Sequence, residues 1–211
     1  MKIMLKSLSI VAISFTISFA QGFKVKATGE KTFTFANDNP RNQATFFSTT
    51  PFEDFTGLTN NIKGTATFNV SDVATMKGKF VVTTASLKTG IELRDSDLKS
   101  EEWLDAENYP DITFVIKKVS DIKMIEDNKL QAKVTGDFTT HGVTKEVTAD
   151  ATMTYLDESE KTKAVAPGDL LGVEAKFTIT LSDYDVDNIV LGRKVSDKID
   201  ITVNIVGSSS K

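Results

Sequence analysis

Catalysis by a nucleophile would need a general base, and the sequence offers one histidine, His141, between Thr140 and Gly142. A Thr-His-Gly sequence is typical of a turn, so we expect the His141 side chain to be solvated or to cap a hairpin loop. The chain has no cysteine, so disulfides and thiolate ligands are excluded and a zinc site would have to be built from carboxylates. We therefore predict no catalytic residue, no metal site and no cofactor.

Carboxylates at alternate positions, Asp183, Asp185 and Asp187, match the start of a calcium-binding EF-hand loop. The sixth position of that loop requires glycine and the twelfth requires glutamate, whereas this chain has Asn188 and Lys194 there. The pattern is better explained by polar side chains on the wet face of a strand end and its turn.

Further acids are crowded together in the sequence and could suggest a paired-carboxylate hydrolase. They are Glu101, Glu102, Asp105, Glu107 and Asp111. Acids near the start of a helix more often stabilise the helix or face solvent, and Ser100 has the residue type of a helix cap. We interpret these acids as surface residues.

Arg94 and Asp95 precede this acidic stretch. The arginine could hold a carboxylate or phosphate head group, or it could pair with Asp95 and hold the turn together. The sequence leaves both interpretations open.

All these residues except His141 and the Asp183 group lie in the one long break in a chain that otherwise alternates apolar and polar residues. The break runs from Ser86 to Phe114 and contains the only tryptophan. Gly90 permits a sharp turn and Pro110 ends any helix, so we predict a short helical insertion around residues 94–108 that forms a lid or mouth. Its apolar underside would consist of Leu98, Trp103 and Leu104.

Short strands with apolar and polar residues in alternation surround the insertion. We predict them at Phe23–Lys26, Thr32–Phe35, Gln43–Thr50, Ile62–Val70, Gly78–Leu87, Ile112–Lys117, Leu130–Phe138, Val147–Tyr155, Val173–Leu181 and Ile199–Ile205. We expect a loop or bent strand at Phe52–Asn61 and a polar connector at Asp121–Lys129. No strand and helix alternation of the kind found in parallel sheets is present, so the fold class is all-β and antiparallel, either a barrel or a sandwich.

The sequence has 14 phenylalanines and three tyrosines. The phenylalanines predicted on strands are Phe46, Phe68, Phe80, Phe114, Phe138 and Phe177. Such side chains can fill the interior of a barrel or line a cavity in it, and close packing favours filling.

The first twenty residues have the pattern of a secretory signal peptide. Lys2 and Lys6 precede an apolar run that ends in a small-residue site at Ala20. The apolar run is too short to span a membrane. We therefore predict a signal peptide at residues 1–20 and one domain at residues 21–211. Removal of two lysines would change the formal net charge from −4 to −4 − 2 = −6, which argues against nucleic acid as a partner.

The spacing of several motifs resembles the YceI-like family of exported, lipocalin-like proteins. The matching residues are Thr89-Gly90-Ile91, Arg94-Asp95, Trp103-Leu104-Asp105-Ala106, Tyr109-Pro110, Thr113-Phe114, the run from Gly136 to Lys145, Ser182-Asp183-Tyr184 and Val195-Ser196-Asp197. The resemblance implies an antiparallel barrel, a periplasmic location, no catalysis and often a homodimer. The chain departs from it at Asp97, where many members have histidine, and around Thr28 to Phe33, where an Asp-Pro-x-His-Ser start is absent.

From the strands, the export signal and the resemblance, we hypothesise a periplasmic or secreted protein whose barrel holds a long isoprenoid, an isoprenoid quinone or a fatty-acyl ligand. The ligand-binding residues would be the six strand phenylalanines together with Arg94, Leu98, Trp103 and Leu104. Two alternatives are a small outer-membrane barrel, with apolar rows facing lipid, and a hydrolase that acts on a bound lipid.

Overall fold

The computed structural model describes residues 21–36 and 41–209, and the predicted signal peptide lies outside them. The strands are β1 (Glu30–Phe35), β2 (Gln43–Thr49), β3 (Asp54–Thr59), β4 (Ile62–Asn69), β5 (Asp72–Thr83), β6 (Asp111–Glu126), β7 (Lys129–Thr140), β8 (Val143–Leu156), β9 (Leu170–Thr180) and β10 (Lys198–Ser208). The helices are α1 (Glu92–Asp97) and α2 (Glu160–Lys163), with 3₁₀ turns at Thr84–Ser86 and Leu181–Tyr184. Within the described ranges, no helix is both long enough and apolar enough to cross a bilayer.

The strands form one antiparallel sheet that closes into a barrel. From β4 to β10 each strand pairs with the next in the chain, and β1 pairs with both β4 and β10. β2 continues along the same edge of β10, because Thr34 of β1 lies opposite Ser208 while Phe47 of β2 lies opposite Asp200. β3 pairs with β2 as β4 pairs with β1. The ring therefore has eight positions: β1 and β2 together fill one, β3 and β4 together fill the next, and β5 to β10 fill the other six. This closed ring confirms the barrel and excludes the sandwich.

Alternation places the apolar side chains of the strands inside the barrel. On β7 the buried row is Leu130, Ala132, Val134 and Phe138. Lys133, between them, lies on the outer wall, where its Nζ is 2.8 Å from Oδ1 of the exposed Asp150. An outer-membrane barrel needs the opposite orientation, with its apolar rows towards lipid.

One end of the barrel is closed by aromatic side chains and by the first described residues. The aromatic cluster consists of Phe23, Phe33, Phe68 and Tyr155, with ring centroids 5.4 to 6.1 Å apart. The backbone N–H of Phe23 donates to the carbonyl of Val70, and that of Lys24 to the carbonyl of Asp127. These bonds carry the chain across the barrel end instead of along an edge, so the strand predicted at Phe23–Lys26 is wrong.

Two other predicted connections are strands. The segment predicted as a loop or bent strand contains β3. The predicted polar connector at Asp121–Lys129 is wrong, because β6 continues to Glu126 and only a two-residue turn precedes β7. The β6 to β7 register shifts between Ser120 and Lys123, and Asp121 has a φ of 53°. This irregularity lets a polar strand end stay paired.

Candidate ligand-binding cavity

The barrel encloses a cavity of about 680 Å³, and its wall is mostly apolar where strands form it. Every position of the ring contributes side chains, from Met76, Met153 and Leu171 near the closed end to Val82 and Ile199 towards the opening. Thr45, Thr113 and Thr140 are the only polar residues among the described strand residues that line it. A cavity with such a wall is suited to an apolar molecule.

Five of the six predicted phenylalanines line this cavity. They are Phe46, Phe80, Phe114, Phe138 and Phe177. The Phe177 ring lies 5.4 Å from that of Phe138 and 6.3 Å from that of Phe114, measured between centroids. The prediction for Phe68 is wrong, because the end of β4 places it in the aromatic cluster, 1% exposed and stacked on Phe33.

Glycines on neighbouring strands make room for three of these rings. A Cβ on Gly57 would lie 2.0 Å from Cζ of Phe46, one on Gly64 2.5 Å from Cδ1 of Phe80, and one on Gly136 2.6 Å from Cζ of Phe114. A glycine within a strand often marks such a close approach. These glycines are visible in the sequence, but the prediction of the cavity residues rested on the phenylalanines alone.

The insertion between β5 and β6 lies at the opening of the cavity. Leu98, Trp103 and Leu104 line the cavity, and Leu104 is buried. Helix α1 lies earlier in the chain and is shorter than predicted. The Ser100 hydroxyl donates to the carbonyl of Asp97, so it does not cap a helix that begins after Ser100. The predicted cap is therefore wrong, while a short helical insertion is confirmed.

Helix α1 is held to the chain that precedes it by the carboxylate of Asp95. Oδ1 of Asp95 accepts hydrogen bonds from the backbone N–H and the hydroxyl of Thr89, the latter at 2.7 Å. These hydrogen bonds lower the pKa of Asp95 below its ordinary value. Because Ile91, at the N-cap, has no side chain that can cap the helix, Asp95 supplies the polar contact at this end.

Arg94 lines the cavity at its mouth but does not pair with Asp95. Its Nη2 lies 3.1 Å from Oε2 of Glu53, and its guanidinium carbon is 4.3 Å from the centroid of the Phe55 ring. The alternative in which Arg94 and Asp95 hold the turn together is therefore wrong. The arginine instead joins the insertion to the β2–β3 hairpin across the opening.

The loop between β9 and β10 forms the other side of the mouth. Asn188, Ile189 and Lys194 line the cavity there, and the Asn188 amide donates to the carbonyl of Glu102 at 3.3 Å. Ile189 is 85% exposed, so an apolar side chain stands at the entrance. The sequence analysis missed these cavity residues because a loop has no periodic pattern.

Among the histidine and the acids considered for catalysis or metal binding, only Glu102 lines the cavity. His141 is a turn residue with a φ of 49° whose Nδ1 is 3.0 Å from the carbonyl oxygen of Tyr184, and its ring meets that of Tyr109 edge to face. It is not among the cavity residues. In the described part of the chain no three metal-ligating side chains cluster. Asp105 is buried and accepts a hydrogen bond from the Asn108 amide, so its interpretation as a surface residue is wrong.

Comparison with known proteins agrees with this architecture. The YceI-like domain family matches residues 35–207. A UPF0312 protein of Pseudomonas fluorescens Pf-5 is 32% identical over 156 residues, which cover 74% of this chain and 75% of that protein.

Two solved structures share the fold at low sequence identity. The crystal structure of Burkholderia cenocepacia BcnA has a TM-score of 0.63 at 19% identity and covers 80% of this chain and 98% of its own. A polyisoprenoid binding domain from Saccharophagus degradans, implicated in plant cell wall breakdown, has a TM-score of 0.60 at 13% identity and covers 87% of this chain and 100% of its own.

Proposed function

This chain belongs to the YceI-like family, and from that premise we propose that it is a binding protein that holds one long apolar molecule inside its barrel. The ligand would be an isoprenoid, an isoprenoid quinone or a fatty-acid derivative. The observation that carries the proposal is the cavity of about 680 Å³, whose strand wall has no charged side chain among the described residues. The polyisoprenoid binding domain of S. degradans, which has a similar fold, supports the same ligand class.

The wall chemistry indicates where the affinity comes from. Burial of each methylene group contributes ~0.8 kcal/mol, so a long tail binds well without a specific polar contact. We therefore expect weak discrimination among tails of similar length. Discrimination between ligands would depend on the mouth, where the polar side chains lie.

We propose binding without catalysis, because the hydrolase alternative relies on the one histidine of the sequence as its base. His141 is held in a turn by Tyr184 and does not line the cavity. The lipid hydrolase is therefore not favoured. Loss of turnover on replacement of His141 would be the observation that restores it.

We also propose that the protein is exported, with cleavage near Ala20 and a periplasmic or secreted mature chain. The support is the sequence pattern of residues 1–20, with two lysines before an apolar run and a small-residue site. N-terminal sequencing of the mature protein would test it, since a first residue other than one near Gln21 would contradict the cleavage site. The homodimer implied by the family resemblance stays a prediction.

The proposed function is tested by what the purified protein carries. An organic extract of the protein, analysed by mass spectrometry, should contain one class of long-chain lipid in an amount close to that of the protein. A protein that stays free of lipid, even after incubation with isoprenoids and fatty-acyl chains, would contradict the proposal.

A pair of alanine variants tests whether the insertion helps to retain the ligand. Trp103→Ala removes a large apolar side chain from the cavity wall, so retention should fall. Lys133→Ala is the control, because Lys133 lies on the outer wall in an exposed ion pair. Retained lipid per protein, measured after gel filtration, should decrease severalfold only in the tryptophan variant. Equal retention would exclude a role for Trp103.

A further inference from the structure

We infer that this cavity selects ligands with an uncharged polar head, such as a prenol or a quinone, over ligands whose head carries phosphate or carboxylate. The inference rests on the proposed function and adds the chemistry of the head group. It follows from the charges at the mouth of the cavity.

All charged residues that line the described cavity lie at its mouth and outside the strands. They are Glu53, Asp97 and Glu102, which are acidic, and Arg94 and Lys194, which are basic. Three acids against two bases leave one net negative charge at neutral pH. A long ligand whose tail occupies the apolar barrel must place its head among these groups.

The arginine at the mouth is already engaged. Its guanidinium is paired with Glu53 at 3.1 Å and covered by the ring of Phe55, and only 25% of the Arg94 side chain is exposed. A phosphate or carboxylate would have to displace Glu53 to reach it. The displaced carboxylate would then remain at the mouth as an added negative charge.

The other acids of the mouth are not engaged in ion pairs with any residue that the structure describes. Among the described residues, neither Asp97 nor Glu102 forms an ion pair, and both are exposed. Lys194, on the opposite loop, likewise has no ion pair in that part of the chain. An anion attracted to Lys194 therefore still meets two uncompensated carboxylates beside a low-dielectric cavity, where charges are screened less than on an open surface.

An uncharged head finds suitable partners at the same place. Thr89, Ser100 and Asn188 line the mouth and carry hydroxyl or amide groups. Each of these groups already donates one hydrogen bond within the chain. A hydroxyl oxygen still has a lone pair that can accept from a prenol hydroxyl, and the Asn188 amide has a second N–H that can donate to a quinone carbonyl. A neutral head thus gains hydrogen bonds without the repulsion that an anion meets.

The test compares two ligands that differ only in the head group, geranylgeraniol and geranylgeranyl diphosphate, in buffer without divalent metal. Trp103 is the only tryptophan of the chain and lines the cavity, so its fluorescence reports binding. We expect the alcohol to bind the wild-type protein more tightly than the diphosphate. Because apolar partitioning also favours the alcohol, the decisive quantity is the ratio of the two dissociation constants in charge variants.

Glu53→Gln frees Arg94 and removes one negative charge, so it should reduce the preference for the alcohol by about three- to tenfold. Asp97→Asn should reduce it by about two- to threefold, since that acid is exposed. Glu126→Gln makes the same change in net charge on an exposed residue at the end of β6 next to the closed end, and should leave the ratio unchanged. The ratio cancels any change in the cavity that affects both ligands alike, and Glu126→Gln, which lies outside the cavity, should keep the wild-type affinity for the alcohol.

A wild-type protein that binds the diphosphate as tightly as the alcohol would overturn the inference and leave the proposed function standing. An equal ratio of the two dissociation constants in Glu53→Gln and Glu126→Gln would likewise overturn the inference and leave the proposed function standing. If neither ligand binds, the proposed function itself fails, and this inference fails with it.

Discussion

At the level of single residues, Tyr155 and Asp169 form a hydrogen-bonded polar pair at the closed end of the barrel. Tyr155 is fully buried, and its hydroxyl donates to Oδ2 of Asp169 at 2.7 Å. The same carboxylate accepts the Glu158 N–H at 2.9 Å and lies 3.5 Å from Nζ of Lys31. Burial acts to raise the pKa of Asp169, but these partners outweigh it and hold the pKa below its ordinary value. Burial, with help from Asp169, raises the pKa of Tyr155.

This pair predicts a pH-dependent contribution to stability. The pKa of Asp169 is lower in the folded than in the unfolded protein, so its contribution is present above the ordinary value of 3.8 and is lost as the pH falls through the folded pKa. Asp169→Asn should therefore lower the free energy of unfolding by about 1–3 kcal/mol at pH 7, and by less at about pH 3. Urea unfolding at both pH values measures this.

The control for this prediction is Asp150→Asn on the outer wall, where the carboxylate side chain is 78% exposed. That variant should change the free energy of unfolding by less than about 0.5 kcal/mol at either pH. A loss in Asp169→Asn that is the same at both pH values would contradict the assignment of the charged form as the stabilising one.

At the level of elements, the insertion is fixed at its base and only lightly held elsewhere. Lys88, after the 3₁₀ turn, exchanges two backbone hydrogen bonds with Leu58 of β3, at 2.7 and 2.9 Å. Beyond that bridge, α1 has no buried residue, and its polar contacts are those of Asp95 with Thr89 and of Arg94 with Glu53. An element with few buried contacts opens at low cost in free energy, which suits a lid.

Thr89→Val should therefore speed ligand release without much loss of global stability. Valine keeps the side-chain volume but removes the hydroxyl that donates to Asp95, so α1 opens more often. We expect the rate of ligand release, followed by Trp103 fluorescence, to rise about two- to fivefold. This change corresponds to roughly half of the free energy that one hydrogen bond to a charged group contributes. Thr135→Val, which removes a hydroxyl paired with Thr148 on the outer wall, is the matched control. Equal rates in the two variants would show that this contact does not hold the lid.

At the level of the whole molecule, alternation in the sequence predicted the antiparallel all-β fold where strands are regular, while the choice of a barrel over a sandwich came from the family resemblance. The rows on β7 and β8 are buried as expected, because the parity of a strand residue decides which side of a closed sheet it faces. The mouth was predictable only in part. Arg94 and Trp103 stand out by residue type, whereas Glu53 and Lys194 lie in connections between strands, which have no periodic pattern. The β2–β3 hairpin that carries Glu53 is also placed by the pairing of β2 with the distant β10, which no local pattern reports.

The same long-range pairing explains why the ring has a weak point and how the chain compensates for it. Among the described residues, β1 and β10 share a single pair of opposed residues, and beyond it the edge of β10 passes from β1 to β2. Asn42, which is fully buried, lies at this junction. Its amide donates to the carbonyl of Ala36 at 3.1 Å, its Oδ1 accepts the N–H of Val206 at 2.8 Å, and its carbonyl accepts the Asn60 amide at 2.8 Å. One side chain thus joins the end of β1 to β10.

Asn42→Ala should therefore destabilise the whole barrel. The variant loses two hydrogen bonds at a site without solvent, so we expect the free energy of unfolding to fall by about 2–4 kcal/mol. Asn204→Ala, at an exposed position on β10, should change it by less than about 0.5 kcal/mol. Urea denaturation of both variants, followed by far-ultraviolet circular dichroism, makes the comparison. If Asn42→Ala unfolds at the same urea concentration as Asn204→Ala, the ring does not depend on this side chain, and the few backbone bonds between β1 and β10 are sufficient to close it.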